Sequence, residues 1–171
     1  MTCALLTVVL GAVLNFLTTT QRIAPKDVER NHALGEAQVG LHRMTRELRQ
    51  GKPPVGAPLP SAPTNSIDVV VGSVRVRYAC DVASSLSGFR RCVRYASSDL
   101  TTAPGGAGAT VIDRVANGSA ADSVFYPSAS GATTNYFRAK LVVPARGELK
   151  PRQGYSYSIS LNDGFYMRNA G

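Results

Sequence analysis

An uncharged apolar run from Met1 to Leu17, MTCALLTVVLGAVLNFL, passes without interruption into an amphipathic segment ending at Gln50, and the remainder of the chain has to fold around it. Thr2, Thr7 and Asn15, its polar members, can return hydrogen bonds to their own helix backbone. At ~1.5 Å per residue the run spans roughly 25 Å, against a hydrocarbon core of ~30 Å. None of its faces is polar, so the sequence predicts a single-pass membrane segment over residues 1–17 rather than a core helix. Leu5, Leu6, Val8, Val9, Leu10, Val13, Leu14, Phe16 and Leu17 form its anchoring and packing surface, with Gly11 permitting close approach of a neighbouring helix. The shortfall in length leads to the expectation of residues upstream of Met1. A cleaved secretory signal would need a basic region before the run and a small-x-small site after it, and the sequence has neither.

In the amphipathic part, residues 26–50, Leu34, Ala37, Leu41, Met44 and Leu48 recur at spacings of three and four, which places them on one helical stripe. Glu36, His42, Arg43, Arg46, Glu47 and Arg49 fall off it, so one face calls for burial and the other for water. Gly51, Pro53 and Pro54 end the helix. Pro25 removes a backbone donor and predicts a kink or local break. Gly35 and Gly40 each weaken the helix by up to ~1 kcal/mol relative to alanine. The stripe therefore needs a surface to dock on.

The apolar helix running into LGEAQVGLHRMTRELRQG resembles the type IV pilin and pseudopilin superfamily, with its nearest likeness to PilW-like minor pilins. The basic-acidic-leucine-arginine cluster at the end of the amphipathic half is Arg46, Glu47, Leu48 and Arg49, preceded by Leu41 and Met44. The closing FYMRNAG is similar to the group's aromatic-x-Arg-Asn ending, here Phe165 to Asn169. The family's prepilin signature of glycine, a phenylalanine-type residue and a glutamate is missing, and the expectation is an earlier start that supplies it. The resemblance implies a minor pilin or pseudopilin, a structural subunit of a type IV pilus or type II secretion-like filament. It also implies a cytoplasmic-membrane location with the head outside the cytoplasm, at the cell surface or in the periplasm once assembled. The implied partners are other pilin or pseudopilin subunits, an inner-membrane assembly platform and the lipid bilayer, with no cofactor and no catalysis. A DNA-binding subunit of an uptake system and a non-assembling single-span surface protein remain as alternatives.

About 120 residues follow the helix, enough for one small domain. Residues 51–65, with five prolines, read as an extended linker. Residues 66–171 read as an antiparallel β head. Runs of strand character cover Ser66 to Val71, Val74 to Cys80, Phe89 to Ala96, Thr110 to Val115, Ser123 to Tyr126, Tyr136 to Val143, Tyr155 to Leu161 and Phe165 to Arg168. Gly72-Ser73 and Asn162-Asp163-Gly164 are read as tight turns. Alternation within Val74–Ala79 and Tyr155–Leu161 indicates half-buried strands. The expected fold class is α+β, pilin-like, a long N-terminal helix packed on an antiparallel β-sheet head. Residues 97–109, 116–121 and 127–135 are read as mobile surface loops, and Asn117-Gly118-Ser119 fits the N-glycosylation pattern.

Cys80 and Cys92 lie in neighbouring strand-like runs and suit a disulfide outside the cytoplasm, or two buried free thiols in a reducing compartment. Two cysteines with no histidine in the head cannot complete a four-ligand zinc site. The net charge is +8, and the twelve basic against seven acidic residues after Lys52 leave a surplus of five in the head. Arg75, Arg77, Arg90, Arg91 and Arg94, interleaved with Tyr78, Phe89 and Tyr95, form a candidate contact for DNA or another polyanion, or else a solvated sheet face. His32 and His42 are ten residues apart on the helix and read as surface histidines. No nucleophile elbow, P-loop, HExxH or CxxC motif occurs, so the chain is expected not to be an enzyme.

Overall fold

The computed structural model describes residues 2–128, 135–144 and 158–167. Helix α1 (Thr2–Gln50) runs unbroken through Pro25, so the expected local break does not occur. Seven strands follow: β1 (Ser66–Val71), β2 (Val74–Ala83), β3 (Arg90–Ser97), β4 (Ala109–Val115), β5 (Phe125–Pro127), β6 (Tyr136–Pro144) and β7 (Ser158–Tyr166). They form two antiparallel sheets, one ordered β1-β2-β3-β4 and the other β5-β6-β7.

This corrects the expected fold class. The globular part is a two-sheet β structure rather than one antiparallel sheet under a long helix, and among the described residues α1 packs on it from Ala33 to Leu48. The physical reason lies in residues 116–124. Asn117 is fully buried there, donating to the carbonyls of Ser123 and Lys140 and accepting from the Val142 amide. The chain therefore leaves β4 and crosses to a second sheet instead of continuing the meander. The same burial closes Asn117 to glycosylation in the folded chain.

The linker is tied down at both ends. Lys52 exchanges backbone hydrogen bonds with Val70, and Thr64 exchanges them with Phe125 at 2.9 and 2.8 Å. The chain thus touches the second sheet at Thr64 and enters the first at Ser66. Gly72-Ser73 joins β1 to β2 as a two-residue hairpin, with Gly72 at φ 62°.

Asn162-Asp163-Gly164 is not a turn. These residues pair with Lys140, Ala139 and Arg138 inside an unbroken β7, which carries on through Phe165 and Tyr166. Local turn propensity loses here to a complete ladder along β6. Gly164 leaves room for a neighbour, since a Cβ there would meet the Tyr136 hydroxyl and the tyrosine would have to shift. Tyr155, Tyr157, Arg168 and Asn169 lie outside the described residues.

The inward faces of both sheets and the α1 stripe share one core. Val69, Val76 and Tyr78 come from the first sheet, Phe137, Leu141 and Phe165 from the second, and Leu41, Met44 and Leu48 from the helix. Phe137 and Phe165 stack with ring centroids 5.8 Å apart.

Candidate functional site

Along the described apolar part of α1 the side chains stand in the open. Val9, Leu10, Val13, Leu14, Phe16 and Leu17 are 48–72% exposed. Gly11 has nothing within 4 Å of where a Cβ would lie. The side chains of Leu5, Leu6 and Val8 lie outside the described set. Among the described residues no helix is long and apolar enough to cross a membrane. The expectation of a single-pass anchor over residues 1–17 is therefore not supported.

The other end of α1 is where the chain builds its most specific contacts. Leu34 is half-buried, and Ala37, Leu41, Met44 and Leu48 are buried. Close approach is set by Gly40, whose absent Cβ would fall 2.4 Å from Ile112 Cγ1 and 2.9 Å from the Val111 carbonyl oxygen. Polar side chains beside the stripe fix its register on both sheets. Glu36 accepts from the Asp113 amide on β4 at 3.1 Å. Thr45 donates to Asp163 on β7 at 2.7 Å, and Arg49 donates to the Gly164 carbonyl at 2.9 Å.

On the first sheet the junction centres on Glu47. Arg94 grips it through two bonds, Nε to Oε2 at 2.8 Å and a terminal nitrogen to Oε1 at 2.6 Å. The hydroxyl of Tyr78, a fully buried residue, donates to Oε2 as well. Burial alone would raise the Glu47 pKa, but the hydrogen bonds from Arg94 and Tyr78 and the charges of Arg94 and Arg43 outweigh it and hold the carboxyl below its ordinary value. Tyr78 is pushed up, first by burial and then by the carboxylate it donates to. The Arg94 guanidinium is held more firmly protonated, chiefly by its bond to Glu47. The sequence reading placed Glu47 off the stripe and Arg94 in a polyanion patch. A helix carboxylate falling between two docking positions, with an arginine and tyrosine opposite each other across a hairpin, is the signal that could have joined them.

The five arginines do not form one surface. Register pairs Tyr78 with Arg94 and Arg77 with Tyr95, so Arg94 points to the helix side of the sheet while Arg75 and Arg77 point to the other. Arg75 is 4% exposed, bonded to Asp68 at 2.8 Å and to the Thr101 carbonyl at 2.7 Å. Arg77 lies 3.6 Å from the same carboxylate. Arg90 is exposed and donates to the Asp81 carbonyl, and Arg91 is half-buried with its Nε unpartnered. The loop after β3 is therefore less free than expected, because the carbonyls of Leu100 and Thr101 hold Arg75. Cys80 and Cys92 are joined in a disulfide.

Between the end of α1 and β3 lies an open groove of about 550 Å³ lined by His42, Arg43, Arg46, Glu47, Gln50 and Arg94. Among the described residues no group of three or more His, Cys, Asp or Glu side chains is placed to hold a metal ion. No protein-family model, curated protein or solved structure matches this chain.

Proposed function

We propose that this chain is a pilin-like structural subunit, a minor pilin or pseudopilin whose apolar helix packs among the equivalent helices of other subunits while its β head makes lateral contacts. The observation that carries the reading is the division of α1. Its last turns are locked into the head by Leu41, Met44, Leu48 and the Glu47–Arg94 pair, whereas Val9 to Leu17 presents large apolar side chains that nothing among the described residues covers. Burying such a surface is worth ~25 cal/mol per Å², and helices of like subunits are the cover the resemblance implies. The Cys80–Cys92 disulfide supports a head held outside the cytoplasm. An assembly platform in the cytoplasmic membrane belongs to this reading as the site where subunits are added.

The test is a photo-crosslinking residue at Phe16 in the source cells, followed by shearing of surface filaments. The reading expects the chain in the sheared fraction, cross-linked to a chain with a similar apolar N-terminal helix. Recovery only as an uncross-linked species in the membrane pellet would overturn it.

A further inference from the structure

The groove beside α1 has a charge imbalance that helix docking does not use. Its carboxylate, Glu47, is fully engaged, since both oxygens accept from Arg94 and one also from Tyr78. Arg94 is consumed in the same pair. That leaves Arg43 and Arg46, both exposed and neither in an ion pair among the described residues, on the groove wall beside His42. Two guanidiniums three residues apart on a helix repel one another. Favourable placement near a helix C-terminus fades beyond the last turn, so it does not account for Arg43, which lies seven residues before Gln50.

We infer that this groove binds a phosphate group, held by Arg43 and Arg46 and approached from the open side of the helix–sheet junction. A doubly charged oxyanion matches the groove's surplus of positive charge, three guanidiniums against the one carboxylate of Glu47, where a single carboxylate would meet only half of it. Guanidinium forks suit phosphate oxygens, and the rigid floor of Glu47, Arg94 and Tyr78 keeps the wall in place without competing for the ligand. A lipid headgroup is a poor source. Arg43 lies 26 residues beyond Leu17, about 39 Å along the helix, too far from the apolar run for one headgroup surface to meet both. The remaining sources are a nucleic-acid backbone and a compact phosphate compound. The first would move the polyanion contact from the split arginine hairpin to the helix.

The experiment uses the full chain in non-ionic detergent with two probes, a fluorescent single-stranded DNA oligonucleotide and pyrophosphate, against the wild type, Arg43→Gln/Arg46→Gln and, as a control, Arg90→Gln/Arg91→Gln. If nucleic acid is the source, oligonucleotide affinity falls with salt at a log–log slope of about −1.4 for two phosphates, and Arg43→Gln/Arg46→Gln weakens it at least tenfold while the control does not. If the source is compact, pyrophosphate binds with the same dependence on Arg43 and Arg46, and the oligonucleotide binds no better than it does to the double variant. Absence of binding by both probes at 50 mM salt overturns the inference, as does binding that survives Arg43→Gln/Arg46→Gln or falls equally in the control. Unchanged thermal unfolding of both variants excludes misfolding as the cause, and each single Arg→Gln change is then expected to give an intermediate loss.

Discussion

Replacing Glu47 with glutamine tests the helix–head junction most directly. The side chains of Arg94 and Glu47 are 24% and 21% exposed, between the surface case, where an ion pair is worth ~0–1 kcal/mol, and the buried case, where removing one partner costs ~3–5 kcal/mol. Glutamine keeps the length but turns an NH₂ toward a guanidinium, so one of the two bonds is lost and the arginine is left without its counter-charge, at a cost of about 2 kcal/mol. The buried Tyr78 hydroxyl exchanges a charged acceptor for a neutral one, adding about 1 kcal/mol. The expected loss of about 3 kcal/mol lowers the unfolding midpoint by roughly 6–12 °C in a chain of this size, read by thermal denaturation at pH 7. The pH dependence carries the sign. Glu47 is held below its ordinary value of 4.5, so its contribution is present above that pH and is lost as pH falls through the folded value. Tyr78 is held above its ordinary value of 10.0, so its contribution is present below pH 10 and is lost as pH rises beyond it. Glu47→Gln should therefore flatten the acid limb of the stability profile. A loss under 0.5 kcal/mol, with the acid limb unchanged, would refute the account of the junction.

Other substitutions probe separate parts of the fold. Reducing the Cys80–Cys92 bond, or changing both residues to alanine, removes a cross-link with a sequence separation of 12; the chain-entropy estimate is a loss of about 3 kcal/mol, measurable as a lower urea midpoint with and without reductant. Gly40→Ala and Gly35→Ala should act with opposite signs. The first drives a methyl into Ile112 and the Val111 carbonyl, while the second meets nothing within 4 Å. Urea titration should show a loss of about 1–2 kcal/mol for Gly40→Ala, after helix propensity is credited, and a gain of up to ~1 kcal/mol for Gly35→Ala. Asn117→Ala strands the carbonyls of Ser123 and Lys140 and the Val142 amide; a loss of about 3 kcal/mol is expected, with hydrogen exchange accelerated first at Val142.

The periodicity of Leu34, Ala37, Leu41, Met44 and Leu48 made the buried side of the helix legible, because a 3.6-residue repeat acts through neighbours in sequence. The β1–β2 hairpin was equally local, set by Gly72-Ser73 between two alternating runs. The apolar character of residues 1–17 is also a property of the sequence alone, but what covers it is not. Tertiary structure decided the rest. Asn162-Asp163-Gly164 reads as a turn in isolation and becomes strand because β6 supplies a full ladder of partners. Five arginines that form a cluster in sequence separate because strand alternation sends Arg75 and Arg77 to one side and Arg94 to the other, where carboxylates neutralise Arg75, Arg77 and Arg94. The division into two sheets depends on Asn117 bonding across 6 to 25 residues. Glu47, Arg94 and Tyr78 are separated by up to 47 residues and meet only once helix and sheet have docked, since hydrogen bonds between distant segments leave no period in the sequence to betray them.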